Sequence, residues 1–140
     1  MSIVSYRDLD AWNVAVDLTV SVYELVKKLP AWERFGLCSQ MQRAAVSVPS
    51  NIAEGQAYGP GLRYHNHVRI AGGSVAELST CVEVCVRVGH IDAAVAASIQ
   101  KEITRTAKLV RGLRNSLIRR SAKEAGKIGC VVLACWWFFR

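Results

Sequence analysis

Nine residues, Ser47-Val48-Pro49-Ser50-Asn51-Ile52-Ala53-Glu54-Gly55, follow Arg43-Ala44-Ala45 and carry most of the chemistry in the first half of the chain. They break an apolar, helix-period stretch with a proline, serines, an asparagine and a carboxylate. Together with Ser74 and Glu77 further on, this polar set has the makings of a ligand site. Glu54 and Glu77 would supply a carboxylate pair for acid–base work. The alternative is a structural network. Proline inside a helix removes a backbone hydrogen bond and crowds the carbonyl four residues back, at a cost of about 3 kcal/mol. Ser47 or Ser50 would then engage freed carbonyls, and Arg43 would pair with a glutamate across the fold. Buried polar groups need such partners, and the structural reading is preferred.

A second set of chemically able residues lies on the third predicted helix. His65 and His67 are two residues apart, so they point about 200° from each other. Cys81 and Cys85 share a face but sit about 20 Å along the axis from His67. Neither pair converges on a metal, and the cysteines read as small buried hydrophobes. The chain has no P-loop, dinucleotide fingerprint, Gly-x-Ser-x-Gly or His-Glu-x-x-His. No enzyme activity, metal or cofactor is expected.

The third set is basic. Residues 101–127 carry nine basic and two acidic side chains, whereas residues 1–100 carry eight and nine, so the net charge of +7 belongs to one segment. At 100° per residue, Lys101, Arg105, Lys108, Arg119 and Lys123 fall on one stripe, flanked by Arg111, while Arg114 lies nearer the apolar edge. Such a stripe would dock on nucleic-acid phosphates with strong salt dependence and little sequence preference. No aromatic residues interleave it, so base stacking is not signalled. The bland alternative is a solvated face that aids solubility.

These residues need helices to position them. The first is expected over residues 8–29, with Leu9, Trp12, Val16, Thr19, Tyr23 and Val26 inward, and Pro30 stops it. A connector, Ala31 to Gly36, precedes a helix over residues 37–54 with Leu37, Met41, Ala44, Ala45, Val48 and Ile52 inward. Gly55 and Tyr58-Gly59-Pro60-Gly61 end that helix. The third covers residues 62–88, with His67, Ile70, Ala71, Ser74, Leu78, Cys81, Cys85 and Val88 inward and Gly89 as its cap. The pair Gly72-Gly73 suggests close approach by another helix, because glycine otherwise weakens a helix interior. The fourth runs from Asp92 to between Arg120 and Lys127, with Val95, Ile99, Ile103, Val110, Leu113 and Leu117 inward. The expectation is all-α: an antiparallel up-down-up-down four-helix bundle forming a single domain over residues 1–127.

Residues 128–140 form an apolar C-terminal tail ending Trp136-Trp137-Phe138-Phe139. It is too short to span a bilayer, which takes about 20 residues. It would pack on the bundle, sit between subunits or touch a membrane surface. The five cysteines follow no zinc spacing, and no export signal precedes them, so a reducing cytoplasm is expected.

The chain resembles the four-helix-bundle proteins encoded by intervening sequences within bacterial 23S ribosomal RNA genes. The resemblance is carried by Tyr6-Arg7-Asp8-Leu9-Asp10-Ala11-Trp12, by Leu29-Pro30 with Glu33, Gly36 and Leu37, and by Gln40 with the run Arg43 to Gly55. Ile70-Ala71-Gly72-Gly73-Ser74 and Glu77-Leu78 continue it. It covers about residues 6–118, and the tail departs from it. It implies a bundle that assembles into a ring, expected to be a homopentamer. It also implies kinship with the accessory proteins of diversity-generating retroelements, which bind nucleic acid and a reverse transcriptase. The expected function is therefore non-enzymatic nucleic-acid binding, RNA first, through the fourth helix. The rival is a scaffold whose ring recruits a partner protein.

Overall fold

A computed structural model describes the backbone of residues 5–138 and the side chains of residues 5–123. Four helices follow one another: α1 (Asp10–Val26), α2 (Leu37–Ala57), α3 (Leu62–Arg87) and α4 (Ala93–Phe138). Each packs on its neighbour in sequence, most extensively α2 on α3, and α4 closes back on α1. No strand occurs among the described residues. This is the expected four-helix bundle.

The inward faces of α2 and α4 match their sequence patterns. Met41, Ala44, Ala45, Val48 and Ile52 are buried on α2, and Ile99, Ile103, Val110 and Leu117 on α4, with Thr106 among them. The face of α1 matches only at Leu9 and Val26, which are buried as expected. Ala11, Val14, Ala15, Leu18, Val22 and Leu25 are buried besides, while Tyr23 is exposed and Trp12, Val16 and Thr19 lie at the flank. The centre of the true face is turned by about 110° from the expected one, at 100° per residue. Valines occur on both sides of this helix, so periodicity alone chose the aromatic side. On α3, Ile70 and Val88 are also exposed, and Tyr64, Val68, Val75 and Val82 are buried instead.

Helix ends shift too. α1 begins after a short 3-10 turn at Tyr6–Asp8, where the Ser5 hydroxyl accepts from Arg7 N and Asp8 accepts from Ser5 N. The connector after Pro30 is itself a 3-10 turn, Ala31–Phe35. α2 runs through Gly55 to Ala57. Gly55 does not stop the helix: a Cβ there would lie 2.6 Å from Tyr64 Cδ2 and 2.9 Å from His67 Cβ. Tyr64 and His67 of α3 pack directly against α2 there. Gly89 follows α3 as expected, at φ +78°. α4 continues to Phe138, past the expected end. The side chains of the apolar tail lie outside the described residues.

Two polar contacts lock the bundle. Pro49 has no N–H for the carbonyl of Ala45, four residues back. The Thr19 hydroxyl of α1 supplies the donor, lying 3.0 Å from Ala45 O and 2.8 Å from Ala15 O, and its single proton is shared between them. At the end carrying the α1–α2 and α3–α4 connections, one Glu33 oxygen accepts from Leu37 N (3.0 Å), capping α2, and the other meets His90 Nε2 (3.1 Å). Gly36 leaves room for this, since a Cβ there would sit 2.5 Å from the carboxylate. The Leu37 hydrogen bond, then His90, hold the Glu33 carboxyl below its ordinary value of 4.5.

Thr19→Val should destabilise the fold by about 1–3 kcal/mol, the cost of stranding a buried carbonyl. In a Pro49→Ala background the cost should shrink, because residue 49 regains its N–H. A denaturant double-mutant cycle with no coupling would refute the pairing. Glu33→Gln should lower the melting temperature at pH 7. A carboxylate with a depressed folded-state value stabilises above about pH 4.5 and loses that contribution as pH falls through the folded value. The gap from wild type should therefore narrow in acid; an equal gap at pH 3 and pH 7 would count against the assignment.

Candidate nucleic-acid interface

The basic side chains of α4 stand clear of the core. Lys101, Arg105, Lys108, Arg111, Arg119 and Lys123 are all exposed. At 1.5 Å per residue, Lys101 to Lys123 spans about 33 Å. The ion pairs among the described residues are Lys27–Glu24, Arg87–Glu83, His67–Glu54 and His90–Glu33, and none involves this stripe. Glu102 is half-buried on the other flank of α4, beside α1. Among the described residues no carboxylate neutralises the stripe.

Arg114 behaves differently. It is half-buried, and its Nε is enclosed with no hydrogen-bond acceptor. Together with Arg111 it lines a groove between α4 and α3, opposite Arg69 and the Gly72-Gly73 pair. Arg69 escaped the sequence reading. The available signal was its spacing of three and four residues from the two glycines, which sets it on their face of α3.

The polar set around Pro49 forms a directed chain. His67 Nδ1 donates to Asn51 Oδ1 (3.0 Å), and Asn51 Nδ2 donates to Ser47 O (2.9 Å) and Ser47 Oγ (3.1 Å). Ser47 Oγ lies 2.8 Å from Ser74 Oγ, and Ser74 donates to Ile70 O (3.2 Å). With the Ser74 proton committed to a carbonyl, Ser47 is the donor in that pair. Each proton that links His67, Asn51, Ser47 and Ser74 has an internal acceptor, which is the behaviour of a structural network. Tyr58 stacks on His67 with ring centroids 5.4 Å apart.

Several expected pairings are not made. Arg43 does not reach a glutamate. It donates to Ser39 Oγ (3.0 Å) and to Gln40, and Gln40 in turn donates to Glu77. The amide spans a gap the guanidinium does not cross. Glu54 lies beside His67 (3.6 Å), about 15 Å along α3 from Glu77, so the two carboxylates form no pair. Ser50 is exposed on the far side of α2, and the carbonyl freed by Pro49 goes to Thr19 and not to a serine.

His65 is half-buried, and Cys38, Cys81 and Cys85 are buried free thiols. Among the described residues no three His, Cys, Asp or Glu groups come together to hold a metal. Burial, then neighbouring Cys81, Cys38 and Glu33, push the Cys85 thiol up to about 11.

The model of the 23S rRNA-intervening sequence protein family matches residues 7–112. No curated protein matches the chain. Among solved structures, the chain is similar to a protein of unknown function from the S23 ribosomal protein family of Bacteroides thetaiotaomicron. The TM-score is 0.70 at 22% identity, over 75% of this chain and 95% of that one. That likeness supports the bundle fold.

The buried thiols should resist an alkylating reagent at pH 8, because the thiolate is the nucleophile and burial suppresses it. Mass spectrometry after a timed pulse should find Cys38, Cys81 and Cys85 modified only after denaturant is added. Fast labelling of Cys85 in the folded protein would contradict its placement.

Proposed function

The chain belongs to the 23S rRNA-intervening sequence protein family, and on that premise we propose that it is a non-enzymatic, cytoplasmic homo-oligomer that binds nucleic acid, RNA first, through the basic face of α4. One observation carries this reading: Lys101, Arg105, Lys108, Arg111, Arg119 and Lys123 are exposed along one helix and, among the described residues, paired with no carboxylate.

The mechanism is electrostatic. Each cation that neutralises a phosphate releases condensed counterions, and affinity falls steeply with salt. Exposed lysines and arginines on a helix have no fixed orientation, so the stripe reads phosphate and not base sequence. Repetition in a ring, for which the family resemblance suggests a pentamer, multiplies weak contacts by raising the effective concentration of the next one.

A second reading is favoured by a separate observation. Trp32 is 78% and Phe35 89% exposed, three residues apart on the 3-10 turn before α2. Large exposed aromatics of this kind suit a protein contact, either between copies of this chain or with a partner protein recruited by the assembly.

Binding of fluorescent RNA and duplex DNA across a salt series, with oligomer mass measured in the same samples, separates the readings. RNA affinity should drop by at least about tenfold between 50 and 200 mM salt. The triple variant Arg105→Glu, Lys108→Glu, Arg119→Glu should lose binding while keeping its helicity and melting temperature. An intact oligomer that binds neither nucleic acid at 50 mM salt would overturn the nucleic-acid reading and leave the protein scaffold.

A further inference from the structure

We propose that the groove between α3 and α4 is a seat for one phosphate group, gripped by Arg69, Arg111 and Arg114. This deepens the reading above and rests on it for one point, that the phosphate is a diester of a nucleic-acid backbone.

The argument starts from the two glycines. Glycine weakens a helix interior more than any residue except proline, and close packing is the usual compensation. Here it is missing. A Cβ on Gly73 would meet nothing within 4 Å, and one on Gly72 would reach only Val110 Cγ1, at 3.9 Å. The glycines keep a space open instead. The groove they floor holds about 240 Å³, against about 30 Å³ for one water in the liquid.

The walls of that space carry charge of one sign. Arg69 comes from α3, and Arg111 and Arg114 from α4; no carboxylate lines the groove, and none pairs with these three among the described residues. Like charges converging on one hollow repel, and the repulsion grows where water is displaced. The Nε of Arg114 has no acceptor, and being closed to water it is closed to a ligand as well. An anion in the groove would instead offset the repulsion among the three guanidiniums. Guanidinium forks match the paired oxygens of a phosphate, a geometry that lysines on an open face do not provide.

The groove and the stripe then divide the work. The stripe attracts a polyanion from a distance. The groove sits on the α3 side of the same helix, and fixes where one phosphate rests and so how the strand lies.

The test uses the full chain and two variants that act differently. Gly73→Leu fills the groove and removes no charge. Arg114→Met keeps an apolar stem and removes the guanidinium. Both are checked for helicity and melting, and compared with the stripe triple variant. The probes are inorganic phosphate, followed by ³¹P line broadening at constant ionic strength set with chloride, and a fluorescent RNA followed across salt. Wild type and the stripe variant should broaden the phosphate line, and both groove variants should not. RNA affinity should fall by about tenfold in each groove variant, with the salt slope reduced by about one phosphate.

Loss of the phosphate signal with unchanged RNA affinity would uphold the seat and assign it to free phosphate. Normal phosphate broadening in both groove variants would overturn the seat. Wild type that binds no RNA at 50 mM salt yet shows groove-dependent broadening would remove the nucleic-acid reading and leave the seat standing. RNA binding lost only in the stripe variant, with no phosphate broadening by wild type, would do the reverse.

Discussion

A single missing hydrogen organises the centre of this bundle. Pro49 lies inside α2, on its buried side, and cannot donate to Ala45 O. That carbonyl must find another donor or stand unsatisfied in the core. Thr19 provides it from α1. The consequence is positional: α1 must present Thr19 toward α2, which sets its rotation about its own axis. Its small and aliphatic residues Ala11, Ala15, Leu18 and Val22 then turn inward, and Trp12 and Tyr23 are left at the flank and the surface. On the other side of α2, Ser47 and Asn51 reach Ser74 and His67 of α3, and Gly55 lets Tyr64 approach. α2 is thus tied by polar contacts on two sides, which fixes register where apolar packing alone tolerates sliding.

This division also explains why α4 is free to carry charge. Most of the specific polar contacts run through α1, α2 and α3, with Gln100 of α4 donating to Ser79 Oγ of α3 (2.8 Å), and Glu33 with His90 holds the connections at one end. α4 otherwise contributes an apolar stripe of Ile99, Ile103, Val110 and Leu117. Its opposite face is unconstrained by folding. A bundle of this design can hold six exposed cations on one helix, because they repel each other only through water, where two charges 4 Å apart interact by about 1 kcal/mol.

Much of the architecture was legible in the chain. The 3.6-residue period of α2 and α4 named their buried residues correctly, because each has one apolar face and one polar face. α1 misled, since Val14, Val16, Val20 and Val22 put apolar side chains on more than one side, and period cannot then choose between faces. The polar run from Arg43 to Gly55 announced a network but not its wiring. Arg43 was expected to pair with a glutamate across the fold, yet Gln40 stands between it and Glu77. Glu54 and Glu77 were a possible pair by residue type alone; in the fold Glu54 lies beside His67, ten residues along α3 from Glu77. The six cations of α4 were legible because helical phase alone puts them opposite Ile99 and Val110. Arg114 was legible only as an edge residue; its enclosed Nε depends on where α3 lies, which no single-helix pattern contains.

The glycine pair shows how the same residues change meaning once a structure is available. In the chain, Gly72-Gly73 suggests helices in close contact, because that is the commonest reason to tolerate two weak helix formers side by side. In the fold they face open space beside three arginines. An exposed stripe of cations is screened over about 8 Å at physiological salt, and its long side chains lose entropy when they settle on phosphates. Such a surface binds broadly and weakly. A groove floored by glycines, with arginines held on two walls by the packing of α3 on α4, has met part of that cost during folding. Preorganisation of this kind gains affinity without adding contacts. It also restricts where a bound strand can lie, which the stripe alone cannot do. On the proposed reading, the helix that gives the bundle its charge is not uniform along its face: its outer side would attract a polyanion and its α3 side would orient it.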